Sequence, residues 1–228
     1  MANLRRTICL CHDTERGWGH LDVDPRYAEE SNRSSPQHLD TMLEIEKKFG
    51  VSLTYNVVGC FLHEVKQKIE AAKHCVAFHS YDHDLGSDQL QMCRTVDSNL
   101  RGYRPPRNVL TTELNDENLR RHRFEWLATS ASAFGFKTPR LENGIVKIPV
   151  LFDDFPLYKA KIPYELWERE ALRQVSENAF AGVCLHDCYA QFWLPYYPTF
   201  LAKLGSLGQF RTFDQVAFDV RHGNRSAG

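Results

Sequence analysis

The sequence predicts an α/β fold built on a parallel sheet, and three observations carry that expectation. Short apolar runs recur along the chain, each followed by a stretch whose apolar residues fall at helical spacing. The runs are compact instead of alternating apolar with polar, which is the pattern of strands covered on both faces. The chain also shows no internal repeat, low-complexity segment or Gly/Ser linker, so the alternation reads as one domain over residues 1–228.

The elements follow in order. Thr7–Cys11 (TICLC) is the first strand, and Arg16–Ser34, without periodicity, reads as a long loop. Ser35 then reads as the N-cap of a helix with Pro36 at its first position; Leu39, Met42, Leu43 and Phe49 mark its apolar face and Gly50 closes it. Val51–Val58 is the second strand, and Leu62, Val65, Ile69 and Ala72 mark the second helix. Val76–Phe78 is the third strand, and Leu90, Cys93, Val96 and Leu100 mark a third helix stopped by Gly102. Tyr103–Arg104 is the fourth strand, and Asn115 caps a helix running through Leu119 and Phe124. Trp126–Thr129, Val146–Val150 and Val183–His186 bring the total to about seven strands. Asp153–Pro163 reads as a second long loop, and Thr212-Phe-Asp-Gln215 has the form of a capping box ahead of Val216 and Val220.

Composition sets the limits of function. Apolar residues make up 43% and charged residues 25%, the usage of an ordinary globule. Lys plus Arg number 28 against 29 Asp plus Glu, a net charge of −1, so no broad basic surface exists for nucleic acid or an anionic membrane. No apolar run reaches the roughly 18 residues of a membrane span, and the N-terminal segment lacks the apolar core of a signal peptide. Seven cysteines, an odd number, point to reduced thiols and a cytoplasmic protein.

In parallel α/β folds ligands bind beyond the carboxyl ends of the strands. The polar residues there are His12, Asp13 and Glu15 after the first strand, His79 and His83 after the third, Arg104 at the fourth, and His186 with Asp187 at the last. His79 and His83 are four apart; at a helix start they share a face, about 5–6 Å apart at Cβ, and two imidazoles so placed can hold one metal. The same spacing also occurs on a plain polar helix surface. Two histidines and one carboxylate form a catalytic zinc donor set. Asp13 and Glu15 point the same way if the strand continues, so one can ligate while the other accepts a proton; an Asp-Thr-Glu turn after a strand is the bland counterpart. Tyr189, Phe192, Trp193, Tyr196 and Tyr197 follow His186, and Trp18 lies in the first loop. Such rings either stack on sugars, with Trp18, Trp193 and Tyr189 the candidates, or simply fill the core. His12 and His20 read as local hydrogen-bonding groups, and Cys9, Cys11, Cys75, Cys93, Cys184 and Cys188 as buried thiols.

The motif order resembles the polysaccharide deacetylases with the NodB homology domain, carbohydrate esterase family four. The resemblance runs from about Thr7 to Val220 and rests on Cys11-His-Asp-Thr-Glu15, Thr54-Tyr-Asn-Val-Val-Gly59, His79-Ser-Tyr-Asp-His83, Arg104-Pro-Pro-Arg107, Leu185-His186-Asp187 and Leu201–Thr212. The usual first motif has two adjacent aspartates; here it is Asp13-Thr-Glu15, a D-x-E form. The resemblance implies an irregular (β/α)7 barrel and a metal-dependent hydrolase that removes N-acetyl or O-acetyl groups from a sugar, in surface polysaccharide or O-antigen biosynthesis. It implies a divalent ion, zinc first, on Glu15, His79 and His83. Asp13 would be the base, with the two acidic roles exchangeable; Arg104 would pair with Asp13, and His186 would protonate the leaving amine. Two alternatives are a non-acetyl C–N hydrolase on the same scaffold, allantoinase-like, and a non-catalytic glycan-binding member.

Overall fold

The computed structural model describes residues 6–223. Its strands and helices alternate strictly only in the first half. β1 (Arg6–Thr14), α1 (Pro25–Phe49), β2 (Thr54–Val57), α2 (Leu62–Ala71), β3 (Cys75–Phe78), α3 (Gln89–Val96) and β4 (Gly102–Tyr103) form the first half. α4 (Asp116–Arg121), β5 (Trp126–Ser130), α5 (Ala131–Phe134), β6 (Arg140–Glu142), β7 (Ile145–Val150), β8 (Phe152–Asp153), α6 (Phe155–Lys159) and α7 (Tyr164–Glu177) follow. β9 (Phe180–His186), α8 (Ala190–Trp193), α9 (Tyr197–Leu207), β10 (Gly208–Phe210) and α10 (Phe213–Arg221) end the described chain.

The strands form one sheet in the order β6-β7-β5-β4-β3-β2-β1-β9-β8, with β10 added to β1. All pairs are parallel except β6 with β7. β7 pairs with β5, and one residue later β8 pairs with β9, so this stretch joins the two sides of the sheet into an irregular barrel. The seven strands expected from sequence are the seven positions around it. At the seam Leu151 N–H donates to Gly182 O at 2.8 Å. A Cβ on Gly182 would meet Pro149 O at 2.5 Å, so only glycine permits this closure.

Alternation along the strands separates two cores. Cys9, Cys11, Ala77, Ala128, Val146, Ile148 and Cys184 fill the barrel, and Phe213 of α10 plugs its amino-terminal end. Ile8, Leu10, Tyr55, Val57 and Leu185 face outward and pack beneath the helices. No helix of the described residues is long and apolar enough to cross a membrane.

Several expectations need correction. The Arg16–Ser34 loop is largely helix: α1 begins at Pro25, ten residues before the expected Ser35 cap, with the Asp24 side chain accepting from Tyr27 N–H at 3.1 Å. Its buried face there is Ala28, Ser31 and Ser35, residues too small and polar to print a hydrophobic period, and Pro36 lies inside the helix. The Asp153–Pro163 loop holds α6. The third helix ends at Val96, because Asp97 is extended, and Leu100 lies beyond it.

Candidate active site

The carboxyl ends of the strands surround a cleft of about 730 Å³, whose lining includes Glu15, His83, His186 and Tyr189. Asp13 lies near the end of β1 with Glu15 just past it, so both turn inward, as alternation requires. Asp13 is fully buried. Arg104 Nε donates to both its oxygens at 2.9 and 2.8 Å, and Asn56 Nδ2 donates to Oδ1 at 2.8 Å. Its Oδ2 is 3.5 Å from His186 Nε2 and 3.8 Å from His79 Nε2. Burial pushes the Asp13 carboxyl up, but Arg104, His79 and His186 together pull it well below the ordinary carboxylate range.

Glu15 Oε2 is 2.8 Å from His83 Nε2 and 3.2 Å from His79 Nε2. These three buried residues bring their donor atoms within 4.8 Å of one another, so they can hold a metal ion. His79 Nδ1 lies 3.0 Å from Arg104 O, which fixes its proton there and leaves Nε2 as the lone-pair nitrogen. That Nε2 is buried without a hydrogen-bond partner, so its lone pair is free to ligate a cation. The donor set therefore fits the zinc or other divalent ion that the sequence implies.

The histidine pair works differently from the expectation. His79 and His83 do not share a helix face. His79 follows β3 directly, and a tight turn with Ser80 at φ +60° and His83 at φ +64° folds the second imidazole back beside the first. The Ser80 hydroxyl accepts from His83 N–H at 2.8 Å and holds this turn.

His186 Nδ1 is 2.5 Å from Asp154 Oδ1, and Asp154 Oδ2 accepts from the His186 backbone N–H at 2.9 Å. Burial opposes a charged imidazole, but the Asp154 carboxylate outweighs it and raises His186 well above the ordinary histidine value. Asp187 turns away from the metal donors; its carboxylate accepts from Glu15 N–H and Arg16 N–H at 2.9 and 3.0 Å and fixes the loop that carries Glu15. Burial pushes its carboxyl up to about 6.

Sequence reasoning missed Asp154 and Asn56. Asp154 lies in Asp153–Pro163, which reads from sequence as a long loop, although an acidic pair shortly after a strand is the kind of signal that marks Asp13 and Glu15. Asn56 is the middle of Thr54-Tyr-Asn-Val, where a polar residue inside an inward-facing strand position was the available hint.

The aromatic candidates divide. Tyr189 stands on the cleft wall, stacked on Tyr158 at 4.9 Å and bonded through its hydroxyl to His20 Nε2 at 3.0 Å. Trp193 is a correction: it is 1% exposed, stacks beneath His12 at 6.0 Å on the outer side of β1, and does not line the cleft. Trp18 likewise is absent from the lining and packs, half-buried, on the outer core.

No family model and no curated protein sequence matches this chain. Solved structures do. The chain is similar to a Mycobacterium smegmatis protein described provisionally as a polysaccharide deacetylase, at 19% identity and a TM-score of 0.78, over 98% of this chain and 93% of that one. It is similar to the PuuE allantoinase at 12% identity and a TM-score of 0.75, over 100% and 94% of the two chains. A CE4-family pseudoenzyme from Bacillus anthracis matches at 17% identity and a TM-score of 0.57, over 93% of this chain and 66% of that one. At these identities the likeness shows the fold: an irregular α/β barrel of the polysaccharide deacetylase type.

Proposed function

We propose that this chain is a single-domain, divalent-metal-dependent hydrolase that removes N-acetyl or O-acetyl groups from a sugar. The observation that carries the reading is the convergence on one cleft of a metal-ligand triad, a carboxylate locked by arginine, and a histidine locked by a second carboxylate.

Glu15, His79 and His83 would hold the ion, zinc by donor type, which when bound supplies Lewis-acid polarisation of the acetyl carbonyl. The remaining chemistry belongs to the chain. Arg104 and Asn56 keep Asp13 ionised and aimed, at some cost to its basicity, and its Oδ2 accepts the proton of the attacking water. Asp154 keeps His186 protonated, so that the imidazole delivers a proton to the departing sugar nitrogen or oxygen. Tyr158, partly exposed on the cleft lining, offers a ring face to the sugar, and the buried Tyr189 stacks behind it.

The substrate we favour is an acetylated precursor of surface polysaccharide or O-antigen, met in the cytoplasm, where seven cysteines stay reduced. The test is release of acetate from N-acetylated nucleotide-sugars and oligosaccharides, with and without chelator. Chelator-sensitive acetate supports the reading. Turnover of allantoin instead supports the second reading, a non-acetyl C–N hydrolase, which the fold likeness to an allantoinase favours. Glycan binding without acetate release supports a non-catalytic role.

A further inference from the structure

The two oxygens of Glu15 serve different neighbours. Oε2 faces His79 and His83, as described. Oε1 faces the other way and accepts from the Cys188 thiol at 3.3 Å. His20 completes a second group: donor atoms of Glu15, His20 and Cys188 lie within 4.8 Å of one another, and this group shares only Glu15 with the first. All three are buried, at 4, 4 and 3% exposure; Glu15 and His20 come from the segment after β1 and Cys188 from the segment after β9. Gly19 makes room for the convergence, since a Cβ there would stand 2.7 Å from Glu15 Oε1 and 3.1 Å from His83 Cε1.

We propose that Glu15, His20 and Cys188 form a second divalent-cation site, with Glu15 bridging it to the ion on His79 and His83. One carboxylate, one imidazole and one thiolate make a three-ligand set with an open position, and the sulfur selects zinc over magnesium or calcium. Bridged pairs of ions stand about 3.5–4 Å apart in two-metal hydrolytic sites, a spacing that a carboxylate with its oxygens turned to opposite partners is built to span. Ligation exchanges the thiol-to-Oε1 hydrogen bond for a sulfur–metal bond, and the thiol proton leaves to solvent.

A third group, Cys11, Asp13 and Cys184, also brings its donors within 4.8 Å, yet it is a poor cation site. Arg104 already places a fixed positive charge 2.8 Å from Asp13. No arginine or lysine makes an ion pair or hydrogen bond to the side chains of Glu15, His20 or Cys188 among the described residues. The longer Glu in the D-x-E motif has a purpose in this arrangement, because it reaches both groups while Asp13 stays with Arg104.

The proposal concerns binding alone and does not require the chain to be a deacetylase. Protein stripped with chelator is reloaded with zinc alone, and separately with cobalt alone, and bound metal is counted. Two ions per wild-type chain are expected, falling to one in Cys188→Ser. The cobalt form is expected to show near-ultraviolet thiolate-to-metal absorption that disappears in Cys188→Ser and survives in His79→Ala. One ion per wild-type chain overturns the proposal, as does a thiolate band that is absent from wild type or persists without Cys188. The wild-type count and spectrum decide it even where a variant fails to fold.

Discussion

His12 and Asp13 are neighbours on β1, yet they belong to two different buried carboxylate–histidine clusters on opposite faces of the strand. Outside the barrel, Glu46 of α1 is fully buried and surrounded: His12 Nε2 stands 2.8 Å away, the Tyr55 and Tyr197 hydroxyls donate at 2.6 Å each, and His74 Nε2 is 3.2 Å away. Burial pushes the Glu46 carboxyl up, but His12 and His74 with the tyrosine bonds bring it below the ordinary value. Every ring is wedged among other rings: His12 lies 4.7 Å from Tyr55 and Tyr55 5.2 Å from His74. Both clusters keep ring nitrogens without a hydrogen bond, His12 Nδ1 and His74 Nε2 outside the barrel and His79 Nε2 inside it. The difference is access: His186 is 15% exposed, and Glu15, His83 and His186 line the cleft, whereas no residue of the outer cluster does. Acid and histidine types with unspent nitrogens therefore do not mark a site by themselves; their opening on a cavity does.

The sharpest break between the clusters is loss of function without loss of fold. Removing metal by chelation, or by His79→Ala, is expected to lower acetate release by roughly 10³-fold or more, the equivalent of several kcal/mol of transition-state stabilisation. Thermal unfolding of the apo protein should remain cooperative. Full metal occupancy in His79→Ala would remove this imidazole from the ligand set.

The outer cluster should behave the opposite way. Glu46→Ala leaves His12, Tyr55 and Tyr197 facing an apolar void with no acceptor, and is expected to cost about 3–5 kcal/mol of stability. Urea unfolding measures this. Whatever fraction stays folded should keep its metal content, since Glu46 touches none of the ligands; parallel loss of metal and stability would mean that the two clusters act as one.

The third expectation concerns pH. The folded pKa of His186 lies above the ordinary histidine value of about 6.5 because Asp154 outweighs burial. The stabilisation from the His186 charge is present below about pH 6.5 and disappears as pH rises through the raised folded value; on the acid side the pair is broken when Asp154, whose carboxyl burial pushes above the ordinary value, takes up a proton. Proton donation by His186 follows the same direction, so kcat holds through neutrality and falls on the alkaline side. Asp154→Asn removes the charge that sustains it and is expected to move the alkaline limb downward and to lower kcat by roughly 10²-fold. An unmoved limb in this variant would show that another group sets it.

Much of this contrast was legible in sequence, and the part that was not has physical reasons. Asp13, Glu15, His79, His83, Arg104 and His186 each stand at a strand end, where a parallel sheet exposes its ligand-binding edge, and the structure brings all six together. Period and spacing fail where the informative atoms are not apolar. The first turns of α1 bury Ala and Ser, so no stripe appeared. The His79–His83 turn uses left-handed backbone at residues that are not glycine, which no spacing rule anticipates. The Asp154–His186 bond joins residues 32 apart across a barrel seam, and only the closure at Gly182 brings them into contact.

The smallest expected effect separates the two aromatic residues that sequence had grouped together. Tyr189 contributes a ring to the cleft wall and a hydroxyl to His20, whereas Trp193 contributes only packing below His12. Tyr189→Leu keeps the bulk but loses a stacking face and one hydrogen bond, together about 1 kcal/mol, so KM should rise roughly fivefold with kcat little changed. Trp193→Phe shrinks a side chain in a closed layer and should cost about 1–3 kcal/mol of stability at unchanged KM. The opposite pairing, a raised KM from Trp193→Phe and a purely structural loss from Tyr189→Leu, would mean that substrate reaches the outer side of β1. The barrel wall between His12 and Asp13 would have to open for that, and the closed packing around Glu46 argues that it does not.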